Sequence, residues 1–387
     1  MREKIGIFGG TFDPVHKGHI NGALCFKNEL GLDKVLVIPT FTPPHKRSGS
    51  KTTESQRFEM TKLAFEGKDG FEVSDIEIKK GGISYTADTI ELLKGKYKNA
   101  DFYLYTGTDM FLCIDKWYNF RYILDNVILV CALREEDPKN EILLFKEKLE
   151  KLYNSKIIIL DNSIFDISST KIRADITCKK DVSEYLSFEV ENYIKEKGLY
   201  EKQYIDVVKT MQSGHRLSHS LSVEKEAVRL AKIHGVDAEK ASIAGILHDV
   251  TKKWEPAEQL TLCSQFGIIP DEIQKENHKL LHALSGYVFS KNILKIEDEE
   301  ILQAIRYHTT GRPEMSDLEK IIFLADMTEP LRDFPKVDEL RKIVDISLSE
   351  AMAFSLKLSL EKLSKENVPI HEDTKNAYDY YKEFLNG

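Results

Sequence analysis

No stretch of this chain is apolar for long enough to span a membrane, and its first residues, MREKIGIFGG, lack the extended apolar core of a signal peptide. Cations are not in excess: 55 Lys and Arg face 63 Asp and Glu, a formal net charge of −8. That balance excludes a general nucleic-acid binder, which needs surplus cations to displace counterions, and leaves room only for local basic pockets. Cysteine is scarce and scattered, and Cys25, Cys113, Cys131, Cys178 and Cys263 form no C-x-x-C pair. They are expected as buried thiols of a reducing cytoplasm, not as a disulfide frame or zinc site. Fixed-period repeats and low-complexity tracts are also missing. The 387 residues, 42% hydrophobic and 30% charged, suffice for two ordinary cores.

Up to Leu199, short apolar runs alternate with amphipathic stretches. The runs Lys4–Phe8, Lys34–Ile38, Asp101–Tyr105, Asn126–Cys131 and Lys156–Leu160 read as strands, and Gly18–Leu30, Ser55–Phe65 and Ser183–Lys197 as helices. Near-continuous apolar strands separated by helices predict an α/β fold, a doubly wound parallel sheet covered on both faces. Beyond Glu201 the strand-like runs stop and helical periodicity takes over, so the second half is expected to be all-α. Gly198–Tyr204 (GLYEKQY) is the expected junction, giving domains 1–199 and 200–387.

The stretch GIFGGTFDPVHKGH runs from Gly6 to His19. Gly9 and Gly10 follow a strand, where missing side chains let backbone amides approach a phosphate, and Thr11 adds a hydroxyl. His16 and His19 bracket Gly18 where the next helix should begin, so two imidazoles and a helix N-terminus converge on an anion site. Asp13 and Asp109 are acids near this site and are equally readable as structural.

These residues resemble the nucleotidyltransferase superfamily, whose marker H-x-G-H stands here as His16-Lys17-Gly18-His19. A second superfamily marker, a Ser/Thr-rich turn ending in Arg, stands as Ile167-Ser168-Ser169-Thr170-Lys171-Ile172-Arg173. The resemblance implies a Rossmann-like fold and adenylyl transfer from ATP carried with Mg²⁺. It makes His16 and His19 catalytic and sets Gly9, Gly10, Thr11, Phe12, Gly107, Asp109, Ser168, Ser169, Thr170 and Arg173 at ATP. Three further segments resemble the bacterial nicotinate-nucleotide adenylyltransferases: Pro43-Pro44-His45-Lys46, Gly82-Ile83-Ser84-Tyr85-Thr86-Ala87-Asp88-Thr89, and Gly107-Thr108-Asp109 with Asp115-Lys116-Trp117-Tyr118. That family implies nicotinate mononucleotide as acceptor, held by Lys46, Tyr85, Thr86, Trp117, Tyr118 and Arg134. An indole face suits stacking on a pyridinium ring, and a half-buried surface Trp is the less favoured alternative. Where the family has Arg-Pro-Gly, this chain has Ala132-Leu133-Arg134-Glu135-Glu136. Phosphopantetheine is the alternative acceptor, because its adenylyltransferases share both outer markers.

In the second half, His219, the adjacent His248-Asp249, His282, His308 and Asp326 each sit on an apolar helical face. One such histidine is more often a hydrogen-bonded core residue, but four with two carboxylates, all inward, need a metal or mutual partners. Mixed imidazole and carboxylate ligands suit iron, manganese or zinc, and six suffice for two metals sharing Asp249. His215, His234, His278 and His371 lack this placement and read as surface residues, with His278 a weak substitute for His282. The order H…HD…D resembles the HD phosphohydrolase superfamily. The segments Arg216-Leu-Ser-His219, Leu247–Lys253, Tyr307–Gly311 and Ala325–Pro335 narrow it to the bacterial YqeK-type family. Those relatives imply symmetric hydrolysis of diadenosine tetraphosphate to two ADP at a dinuclear centre, iron first among the candidates. Asp249 and Lys252 would be catalytic, and Arg216, Lys252 and Arg332 would hold polyphosphate. Another nucleotide substrate, a purely nucleotide-sensing module and a homo-oligomer remain open.

Overall fold

The computed structural model describes residues 2–43, 52–133, 137–161 and 167–386. The chain divides into two compact units, Met1–Ile176 with Lys180–Gln203, and Tyr204–Gly387 with Thr177–Lys179.

The first unit alternates strand and helix. Its elements are β1 (Glu3–Gly10), α1 (Lys17–Leu30), β2 (Lys34–Pro39), α2 (Glu54–Phe65), β3 (Phe71–Val73), α3 (Ile76–Lys80), α4 (Thr86–Lys96), β4 (Ala100–Gly107), α5 (Thr108–Phe111), α6 (Phe120–Asn126), β5 (Ile128–Leu133), α7 (Lys139–Tyr153), β6 (Lys156–Asp161), α8 (Ser169–Thr177) and α9 (Phe188–Lys197). The strands form one parallel sheet in the order β3-β2-β1-β4-β5-β6. Alternate residues feed two cores. Ile5, Ile7, Leu36, Ile38, Leu104 and Leu129 enter one, whereas Phe8, Val35, Val37, Tyr103 and Val130 enter the other. That two-sided burial is why the strands read as continuous apolar runs. Gly6 lets α1 lie close on the sheet, since a Cβ there would stand 2.6 Å from the Phe26 ring.

A strand and two boundaries depart most from the sequence reading. The edge strand β3 was not foreseen, because three residues, two half-buried and Glu72 exposed, carry too little pattern. The fourth run, Asn126–Cys131, is strand only from Ile128, with Asn126 closing α6. The last helix begins at Phe188, not Ser183, capped by Ser187, whose hydroxyl accepts from the Val190 amide.

The second unit is helical: α10 (Tyr204–Met211), α11 (Gly214–His234), α12 (Ala238–Leu247), α13 (Pro256–Gln265), α14 (Glu272–Glu276), α15 (His278–Asn292), α16 (Glu299–Tyr307), α17 (Asp317–Thr328), α18 (Val337–Val344), α19 (Leu348–Lys365) and α20 (Glu372–Tyr381). Helices α11, α12, α16 and α17 pack on one another, and α15 lies against α16. Val223, Ala227, Leu230, Ala241, Ala244, Ile305 and Ile322 are fully buried among them. Gly245 permits close approach of α11 and α12, as a Cβ there would meet the Glu224 Cα at 3.0 Å.

No disulfide joins the five cysteines, but only Cys131 and Cys263 are fully buried; Cys25, Cys113 and Cys178 are half-buried, against expectation. His371 is no surface residue either: it is buried, and its Nε2 lies 2.7 Å from Asp271 Oδ2. Among the described residues no helix is long and apolar enough to cross a membrane.

Candidate active sites

In the first unit the strand order turns between β1 and β4, which makes the crevice at their carboxyl ends the natural ligand site. β1 ends in Gly9 and Gly10, and β4 in Gly107. A Cβ built on Gly9 or Gly107 meets nothing within 4 Å, so both glycines face open space. Phe12 differs from expectation: its ring is 2% exposed and belongs to the core, leaving only its backbone, at φ +50°, for a ligand.

His16 caps α1 and His19 sits in its first turn. The His19 amide donates to His16 Nδ1 at 3.4 Å, and the His16 amide donates to His19 Nδ1 at 3.3 Å. A backbone N–H can only donate, so both Nδ1 atoms accept and each neutral ring carries its proton on Nε2. Burial pushes the His16 imidazole down to about 4. His16 is therefore an uncharged hydrogen-bond donor at neutral pH, where the sequence alone left room for a cation.

The second marker lies beside the first. Ser169 Oγ donates to the Pro14 carbonyl at 3.0 Å, across 155 residues of chain. Arg173 is 8% exposed and donates to the Asp13 carbonyl at 2.5 Å and to Thr170 Oγ1 at 3.3 Å. Ser168 Oγ accepts from the Lys171 amide at 3.2 Å. The Asp13 carboxylate is structural, buried and bonded at 2.7 Å by the Tyr200 hydroxyl, while Asp109 is exposed at the start of α5.

On the acceptor side, Tyr85 and Tyr118 are brought together, their ring centroids 4.6 Å apart. Thr86 is the first residue of α4 rather than part of a loop. Trp117 packs partly against the core, with its Nε1 buried and without a hydrogen bond, while Tyr118 is well exposed. Lys46 and Arg134 lie outside the described residues. Sequence reasoning missed Arg57, buried on α2 and bonded to the carbonyls of Thr11 and Phe41. The available signal was its position on a helical face with Met60, Thr61 and Ala64, following the Thr53–Gln56 capping box.

In the second unit all six expected metal-binding side chains converge. His219 comes from α11, His282 from α15 and Asp326 from α17, whereas His248 and His308 sit just past the ends of α12 and α16. At those ends His248 Nδ1 donates to the Gly245 carbonyl and His308 Nδ1 to the Ile305 carbonyl, both at 2.7 Å. His219 Nδ1 stands 3.0 Å from Glu329 Oε1, a buried carboxylate that was not singled out from sequence. These partners put the proton on Nδ1 and turn the Nε2 lone pair inward, as metal-bound histidines require.

Asp249 lies between two groups. Its Oδ2 is 3.8 Å from His219 Nε2 and 3.5 Å from His248 Nε2, and its Oδ1 is 2.8 Å from His282 Nε2 and 3.5 Å from His308 Nε2. Asp326 Oδ1 completes the first group, 3.0 Å from His219 Nε2. His219 Nε2, His248 Nε2 and Asp249 Oδ1 are buried and take no hydrogen bond. Electron-pair donors buried face to face fit a metal centre. Burial opposes the charge on Asp249, but His248 and His282 outweigh it and hold the carboxyl well below the usual range. Burial pushes His282 down to about 4.

The three expected polyphosphate cations stand at this cluster. Arg216 Nη1 is 2.7 Å from Asp249 Oδ2, Lys252 Nζ is 3.5 Å from Asp249 Oδ1, and Arg332 bonds Asp326. None is a solvated surface cation, and burial lowers the Lys252 ammonium pKa.

Residues 7–175 match a Cytidylyltransferase-like domain and residues 216–331 match an HD domain. A probable nicotinate-nucleotide adenylyltransferase of Clostridium tetani is 40% identical over 51% of this chain and 99% of its own length. A symmetrical bis(5'-nucleosyl)-tetraphosphatase of Halalkalibacterium halodurans is 42% identical over 45% of this chain and 93% of its own. A probable nicotinate-nucleotide adenylyltransferase/Ap4A hydrolase of Mycoplasma genitalium is 29% identical, covering 92% of this chain and 98% of its own.

Proposed function

The chain belongs to the nicotinate-nucleotide adenylyltransferases through its first half and to the symmetrical bis(5'-nucleosyl)-tetraphosphatases through its second, and from that premise we propose one bifunctional enzyme. The first site joins ATP and nicotinate mononucleotide into deamido-NAD and pyrophosphate. The second splits diadenosine tetraphosphate with water into two ADP.

The observation that supports transfer is the reciprocal His16–His19 cap, tied to the Ser168–Arg173 turn at the open end of the sheet. In this reaction a phosphate oxygen of the acceptor forms a bond to the α-phosphorus of ATP as the bond to pyrophosphate breaks. The nucleophile is already an anion, so no base is needed and catalysis consists of alignment and charge stabilisation. Neutral His16 and His19 donate through Nε2–H to phosphate oxygens without a charge that would have to be desolvated. Amides after Gly9 and Gly107 approach closely, and Ser168, Ser169, Thr170 and the N-terminus of α8 receive the outer phosphates. Arg173 keeps the histidine turn in register through Asp13. Mg²⁺ accompanying ATP supplies further neutralisation of the pyrophosphate. Tyr85, Thr86, Trp117 and Tyr118 hold the pyridine nucleotide.

For hydrolysis the supporting observation is Asp249, with one carboxylate oxygen turned to each histidine group. His219, His248, Asp249 and Asp326 would hold one metal, and His282, His308 and Asp249 the other. Iron is the first candidate, and manganese or zinc accept the same donors. When bound, such a pair supplies water activation and neutralises charge on the leaving phosphate. Glu329 fixes the His219 tautomer, and Arg216, Lys252 and Arg332 orient the carboxylates and meet the polyphosphate.

An acceptor panel tests the first assignment: ATP with nicotinate mononucleotide, nicotinamide mononucleotide or phosphopantetheine. The dinucleotide should form fastest with the nicotinate compound. A product made only from phosphopantetheine refutes the assignment.

A further inference from the structure

Arg57 joins the two substrate sides of the transfer site. It is 5% exposed, and its guanidinium spans two carbonyls, with Nη1 on Thr11 and Nη2 on Phe41, each at 2.8 Å. Thr11 lies in the turn from Gly9–Gly10 to His16, and Phe41 in the segment leaving β2. The same Phe41 residue is held from its other side, because its amide donates to Ser84 Oγ at 2.9 Å. The Ser84 amide returns a bond to the Thr42 carbonyl at 2.9 Å. Ser84 directly precedes Tyr85 and Thr86. Glu77, buried beneath this loop, accepts from the Thr89 hydroxyl at 2.7 Å and fixes the first turns of α4.

We propose that Arg57 is a positioning residue for adenylyl transfer, setting the separation between the ATP turn and the acceptor segment, with Ser84 passing that constraint to Tyr85 and Thr86. The inference rests on the transfer reaction proposed above. A buried cation is costly unless fully bonded, and a hydrocarbon side chain could fill the same space on α2. A guanidinium offers what hydrocarbon cannot: a planar fork with donors at fixed separation, here spent on one carbonyl from each side. The charges of Asp13 and Glu77 support the cation against its burial. Transfer between two bound phosphates depends on alignment, and a shift of about 1 Å costs roughly 100-fold in rate. Arg57 touches neither carbonyl as an acid or base, so its effect falls on geometry.

The test uses the full chain as Arg57→Lys, Ser84→Ala and the double variant. Dinucleotide formation gives kcat and both KM values, thermal unfolding reports stability, and diadenosine tetraphosphate hydrolysis by the same preparation is the internal standard. In Arg57→Lys, kcat should fall about 10- to 100-fold with both KM values within about threefold. Hydrolysis should be unchanged. Ser84→Ala should show the same pattern, about 5- to 10-fold, and remains decisive if Arg57→Lys does not fold. The double variant should lose less than the product of the single losses, because both act through Phe41. Unchanged kcat in both variants, a loss confined to KM, a loss that tracks the unfolded fraction, or strictly multiplicative effects would each overturn the proposal. A wild-type chain that makes no dinucleotide refutes the transfer reading first, and with it this inference.

Discussion

The rings of His16 and His19 stack with centroids 3.7 Å apart, and each Nδ1 accepts the other's backbone amide. The two side chains close the N-terminus of α1 and, by the same bonds, fix which ring nitrogen carries the proton. Capping and catalysis are thus two duties of one pair, and they can be separated.

Asparagine at position 16 keeps an oxygen for the cap and discards the Nε2–H donor. His16→Asn should fold with nearly wild-type stability, since Asn is among the best caps. Its adenylyl transfer should fall about 100- to 1,000-fold, the usual cost of losing one donor to developing charge. His16→Ala should in addition lose about 1 kcal/mol of stability. Denaturant melts and product assays on both variants check this; equal activity in His16→Asn removes the donor role.

Burial holds His16 near 4, whereas an unfolded chain titrates near 6.5. The unfolded state binds the proton more readily, so this contribution is complete above pH 6.5 and is lost as pH falls towards 4. Its full extent is about 3 kcal/mol. Between pH 7 and 4.5, His16→Asn should lose less stability than wild type. An imidazole resonance of His16 titrating near 6.5 contradicts the assignment.

Asp249→Ala should lower bound metal and reduce diadenosine tetraphosphate hydrolysis at least about 100-fold, while adenylyl transfer stays within about twofold. Metal analysis and both product assays on one sample decide it. Hydrolysis that survives in the metal-depleted variant rules out a shared carboxylate.

Glu329 reaches the metal-binding set through His219 Nδ1. Glu329→Gln preserves shape but weakens the hold on the Nδ1 proton, so metal affinity should drop about 10- to 100-fold. Competition with a chelator measures it, and unchanged affinity shows that Glu329 merely fills space.

Tyr200 is 4% exposed and bonds Asp13 Oδ1 at 2.7 Å, so the transfer domain needs residues beyond Leu199. A chain ended after Leu199 should be less stable by roughly 3 kcal/mol than one ended after Gln203, by analogy with truncating a buried aromatic. Equal melting temperatures for the two refute this.

Much of the architecture was legible because burial imposes pattern. The strands of a sheet covered on both faces read as apolar runs, and the inward histidines shared faces with Val223, Ala244 and Ile305. Elements that bury little left little trace: β3 has three residues, none of them buried, and the start of α9 hangs on one cap. The site lost what depends on tertiary partners. Nothing local distinguishes Arg57 from a surface arginine until Thr11 and Phe41 meet it, and His371 looks exposed until Asp271 is placed beside it. Tautomers are likewise invisible in sequence, because they follow from the Gly245 and Ile305 carbonyls and from Glu329.

The central claim is that one chain makes a dinucleotide and cleaves another. The direct measurement is a nucleotide-product analysis of the purified full chain, with metals quantified in the same sample. The account predicts deamido-NAD and pyrophosphate from ATP and nicotinate mononucleotide, ADP alone from diadenosine tetraphosphate, and bound transition metal. Failure to form the dinucleotide, or cleavage to ATP and AMP instead of two ADP, contradicts it.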